Sequence, residues 1–145
     1  MLPTLNGRIQ TRIFLLAVVG SLWTLIITPI LPTGAPLGAS YRTTFTILLL
    51  IMVLGIVWEL IYHGIQQFRW EKDWPTLFGF ITCVNEGALI WLLLELEVVP
   101  GIDGVPRFSA FLIDFLVIWM VIFFWVNGPM RVPLIRWRFF GGRII

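Results

Sequence analysis

Apolar residues run along this chain in four long blocks, at 13–31, 45–65, 77–99 and 108–126. They do not alternate every second residue as a half-buried strand would, nor do they form the narrow stripes of a soluble helix. Each block is close to the roughly 20 residues with which a helix, rising about 1.5 Å per residue, crosses a hydrocarbon layer about 30 Å thick. A barrel strand would alternate over about 10 residues and is a poorer fit. The pattern predicts an all-α membrane protein: a four-helix transmembrane bundle with short loops.

Turn chemistry punctuates the blocks: Leu-Pro-Thr-Gly-Ala-Pro at 31–36, Trp-Pro at 74–75, Pro-Gly-Ile-Asp-Gly-Val-Pro at 100–106 and Gly-Pro at 128–129. No linker can hold a second domain, so residues 1–145 read as one integral membrane domain ending in a basic, aromatic tail at 128–145. Arg8 and Arg12 before an apolar run also describe a secretory signal, but this run exceeds the usual apolar core of about 7–15 residues. The first span is therefore expected to stay, and its removal would leave three spans without reversing any.

Charge supplies the orientation. Arg8, Arg12, Arg69, Lys72, Arg131, Arg136, Arg138 and Arg143 fall on one side of the expected membrane, and only Arg42 and Arg107 on the other. Cytoplasmic segments carry the excess of Lys and Arg, which places both termini and the second loop in the cytoplasm. Trp70, Trp74 and Trp137 share that side, where indoles favour the headgroup boundary. The bacterial inner membrane is the expected location.

Composition agrees: 59% of residues are hydrophobic and 12% charged, with mean hydropathy +0.94, whereas soluble domains are about half apolar and a quarter charged. The formal charge of +2 contains no basic run that would suggest nucleic acid. One cysteine, Cys83, excludes an internal disulfide and a multi-cysteine metal site.

The candidate chemistry lies in acids within the spans: Glu59, Glu86 and Asp114, with Glu95 and Glu97 near the outer end of the third. No Lys or Arg falls inside a span so bounded, leaving His63 as the single possible internal cation. Glu59, Tyr62, His63 and Gln66 follow i, i+3, i+4, i+7 spacing and make one polar stripe. Gly79, Thr82, Cys83 and Glu86 share a face of the third span, and Glu97 is expected to return to it after three turns. A Glu59, His63, Glu86 cluster is thus predicted between neighbouring spans, with Asp114 and Glu97 extending a polar line outward.

Two carboxyls in contact would not both ionise, so the cluster reads either as a hydrogen-bonded interhelical clasp or as a proton or cation path. A metal reading of Glu59, His63 and Glu86 is weak with one histidine, and none is expected. Cys83 reads as a packing residue. Asn85 and Asn127 can bond across helices, and Gly20, Ser21, Thr24 and Thr28 form a small-residue packing face. Arg131, Arg136, Trp137, Arg138 and Arg143 read as an anchor at the headgroups, or a lipid or partner contact.

No phosphate loop, catalytic triad or zinc motif occurs, so an enzyme is not the expected reading, and no cofactor is indicated. The leading expectation is a non-catalytic accessory or scaffold subunit of a larger membrane complex, whose partner brings the cation the acids lack. The alternative is a homo-oligomeric proton or cation conductor using Glu59, His63, Glu86 and Asp114. The expected partners are the lipid bilayer and other membrane subunits or further copies of the chain.

Overall fold

A computed structural model describes residues 4–68 and 76–145. Among these residues the structure is helical, without strands. Helix α1 is one continuous run over Leu5–Ile30, α2 covers Leu37–Gln67, α3 Thr76–Glu95, α4 Phe108–Asn127, and a short α5 Ile135–Phe139. Three segments, Leu5–Ile30, Leu37–Gln67 and Phe108–Arg131, are long and apolar enough to cross a membrane, as an integral membrane protein requires. The expected second-loop residues Arg69, Trp70, Lys72 and Trp74 lie outside the described residues.

The helices differ from the apolar blocks at their ends. Block 13–31 lengthens to Leu5–Ile30 because Thr4 caps the helix: its hydroxyl accepts from Gly7 N at 3.1 Å, satisfying one of the N–H groups a helix start leaves open. Polar residues can extend a helix beyond the apolar run, and this extension carries Arg8 and Arg12 into helical register. Block 45–65 similarly becomes the 31-residue α2, starting directly after Pro36.

Inside α1, a π turn over Leu16–Gly20 has Ser21 N donating to Leu16 O, one residue further back than in an α-helix. The extra residue resets the phase, so buried Thr24 and Thr28 continue the stripe begun by Thr11, Leu15 and Val19. Pro29 then ends the α-helical hydrogen bonding, since it has no N–H to offer the carbonyl of Leu25. The Tyr41 hydroxyl of α2 donates to that carbonyl instead, at 2.9 Å.

The third block ends early. Helix α3 stops at Glu95, and Glu97 adopts a left-handed φ of 52°. Glu97 N donates to Leu94 O and Val98 N to Leu93 O, the two bonds of a Schellman cap. Glu97 is therefore an exposed cap residue. The expected return of Glu97 to the face of Glu86 does not occur, because the helix needed to carry it there has ended.

Helix α1 packs against α2 and α4, and α3 packs against the same two, so α1 and α3 face each other across the interior. Gly20 lets α1 approach α2 closely, since a Cβ there would meet Leu48 Cδ1 at 2.9 Å. The main core joins Ile47, Leu48 and Ile51 of α2, Ile90 and Leu94 of α3, and Phe111, Phe115 and Ile118 of α4.

The tail folds back over the start of the chain. Thr4 N donates to Gly141 O at 2.9 Å, Thr11 Oγ1 to Gly142 O at 2.9 Å, and Trp137 Nε1 to Thr11 Oγ1 at 2.7 Å. Gly7 makes the crossing possible: a Cβ there would overlap the Gly141 carbonyl. Both termini consequently meet at one end of the molecule. The loops 31–36 and 96–107 lie at the other.

Candidate functional site

The extension of α1 decides the site. One turn apart, Arg8 and Arg12 project toward α2, where Glu59 forms ion pairs with both, Oε2 lying 2.9 Å from Arg8 Nε and Oε1 3.6 Å from Arg12 Nη1. The Arg12 guanidinium continues across the interior, where Nη2 donates to Glu86 Oε1 of α3. The same nitrogen reaches the Ile51 carbonyl at 3.4 Å. Arg8 Nη1 also donates to Gln66 Oε1 at 3.1 Å. Arg12 thus joins three helices through one planar group whose donors spread in several directions.

Gly55 makes room for this crossing. It sits on the buried stripe of α2, and a Cβ built on it would fall on the Arg12 guanidinium. A glycine here serves close approach by a side chain rather than a special backbone angle.

Two expectations change. Glu59 and Glu86 do have cations of their own, because Arg8 and Arg12 belong to a helix that starts well before the apolar block. And the link between Glu59 and Glu86 runs through Arg12 rather than through His63. Half-buried His63 instead faces Gln67 one turn on, with Nε2 3.2 Å from Gln67 Nε2.

The supporting residues divide similarly. Thr82, Cys83 and Glu86 share one face of α3, as their spacing predicts, and packing buries that face, leaving Glu86 only 1% exposed. Asn85 Nδ2 donates to the Tyr62 hydroxyl of α2 at 3.0 Å, an interhelical bond. Asn127 stays within its own segment, donating to Phe123 O at 2.8 Å and accepting from Arg131 Nη2 at 3.3 Å. Of the tail residues, Trp137 is held by Thr11, while Arg136 lies 5.9 Å from the Phe140 ring centre and Arg138 5.4 Å from that of Phe139.

Asp114 does not join the charged cluster. It is 1% exposed, and neither carboxyl oxygen has a hydrogen-bond partner among the described residues. Its neighbours along the buried face of α4 are Phe111, Phe115 and Ile118, all core residues. The expected polar line from Glu86 to Asp114 is interrupted at that core. Among the described residues no group of three His, Cys, Asp or Glu is placed to hold a metal ion.

Beside the charged cluster lies a cavity of about 850 Å³. Its polar lining includes Arg8, Arg12, Glu59 and Thr82, its apolar wall follows α4 from Phe115 to Val126, and Arg131 and Arg138 stand near the tail. Arg12 was discounted by span counting alone; the signal that could have found it is Thr4 three residues before Gly7, a helix start that puts Arg8 and Arg12 on one face. No family model, curated protein or solved structure matches this chain.

Proposed function

We propose that this chain is a four-span membrane protein with both termini and the second loop in the cytoplasm, acting as a non-catalytic scaffold or accessory subunit of a larger inner-membrane complex. The 20-residue α3 is long enough to serve as the further span. The contact between Thr4 and Gly141 favours an even number of crossings, because it puts both ends on one side. The excess of cations on that side favours the cytoplasm.

One observation carries the choice of scaffold over conductor: Glu59 and Glu86 are engaged by Arg8 and Arg12. Guanidinium groups occupy the positions at which a travelling cation would have to bind, and arginine does not release its proton in proteins. The cluster therefore works as a clasp between helices. A partner need not supply a cation to it, so association falls to the exposed apolar and tryptophan-bearing surfaces.

The test is isolation of tagged protein from its own membranes in mild detergent, with the composition and mass of the particle determined. Stoichiometric recovery with other membrane subunits is the expected result. A homo-oligomer alone, whose proton or cation flux in liposomes is abolished by Asp114→Asn, would replace the scaffold with the conductor.

A further inference from the structure

The cavity beside Arg12 combines features that a helix clasp does not use. Along α4 its wall extends from Phe115 to Asn127, a rise of twelve residue steps or about 18 Å at 1.5 Å per residue. Ile118, Ile122 and Val126 keep that wall apolar, and buried Leu15, Leu16 and Ile51 line the cavity from α1 and α2. The polar groups gather toward the end where the chain termini meet. A volume of about 850 Å³ falls within the roughly 300–1,000 Å³ of small-molecule sites.

Its charge is unbalanced. Among the described residues Arg8, Arg12, Arg131 and Arg138 bring four positive charges, and Glu59 with Arg12-bound Glu86 takes up two, leaving two in excess. Arg131 contacts the neutral amide of Asn127 and Arg138 the ring of Phe139. An anion can approach these two without displacing a carboxylate. Trp137 borders the same region, with its indole N–H held by Thr11.

We propose that this cavity binds an anionic membrane lipid, with the headgroup phosphate at Arg131 and Arg138 and one acyl chain along the α4 wall. A small hydrophilic anion would leave that apolar length unfilled. A zwitterionic lipid would leave the positive excess unbalanced. The bilayer beside the protein supplies the ligand, and a second acyl chain can remain in it. This site does not require the scaffold role, so a failed search for partner subunits would leave it standing.

The test is native mass spectrometry of the full chain in mild detergent, titrated with phosphatidylglycerol, phosphatidylcholine or inorganic phosphate. One phosphatidylglycerol per chain is expected to bind preferentially. R131Q/R138Q should weaken it about 30-fold, the loss expected for two headgroup cations. Ile122→Trp, which fills the wall without changing charge, should also remove it. Equal binding of phosphatidylcholine would overturn recognition of charge. Retention of phosphatidylglycerol in Ile122→Trp would assign the lipid to the outer surface, and its displacement by inorganic phosphate would make the ligand a free anion. Should Ile122→Trp fail to fold, the exposed R131Q/R138Q pair decides, since full retention there would reject the site.

Discussion

The two ends of this molecule are held together by different physics. Where the termini meet, ion pairs and hydrogen bonds connect α1 with α2, α3 and the tail, centred on Arg12 and Thr11. Toward the loops, hydroxyls make the contacts: Thr28 Oγ1 of α1 donates to Thr24 O of its own helix at 2.6 Å and lies 2.9 Å from Thr44 Oγ1 of α2, and Thr33 Oγ1 of the following loop lies 2.8 Å from Ser40 Oγ of α2. Neutral hydroxyl pairs between membrane helices contribute modestly, averaging about 0.6 kcal/mol, and losing one leaves no charge behind. A buried ion pair is different: its assembly is close to neutral against apolar packing, but removal of one member strands the other. The charged end is consequently the more selective about register and the more vulnerable to single changes.

Arg12→Leu should break that contrast most severely. It strands Glu86 in the interior, for a loss of about 3–5 kcal/mol, visible as a lower thermal transition in detergent. Arg12→Leu combined with Glu86→Leu should recover much of the loss. Additive losses in the double variant would mean that the two side chains are not coupled.

Asp114 offers the opposite sign. Among the described residues neither of its buried oxygens has a partner, so Asp114→Leu should raise stability, by about 1–3 kcal/mol. A fall in the thermal transition would show that Asp114 gains a partner in the assembled protein, and would make the loop end a functional site rather than a flaw in packing.

A smaller effect sharpens the picture of the tail. Trp137→Phe keeps the ring but deletes the hydrogen bond to Thr11, with an expected cost of about 0.5–1.5 kcal/mol and faster hydrogen exchange at Gly141 and Gly142. Unchanged exchange would mean that the backbone bonds to Thr4 and Thr11 hold the tail unaided.

The apolar blocks and their Pro and Gly boundaries predict helices in the right order, since hydrophobic length is a local property that requires no knowledge of neighbours. Helical spacing also predicts that Thr82, Cys83 and Glu86 share a face, although only packing shows that this face is buried. Glu97 escaped this reasoning because a cap ended the helix two residues before it, and hydropathy does not see caps. Arg8 and Arg12 escaped it because the helix runs past the apolar block.

By itself, then, the sequence determined a helical membrane protein with acids at defined positions along its helices, through block length and helical period. Only the tertiary structure decided what those acids meet. The partners of Glu59 and Glu86 are set by the reach of two flexible arginine side chains and by the space above Gly55, both of which exist only once α1 and α2 have packed. The isolation of Asp114 has the same origin: a polar residue finds a partner only if a neighbouring helix brings one to its depth, and here the neighbouring positions carry apolar side chains.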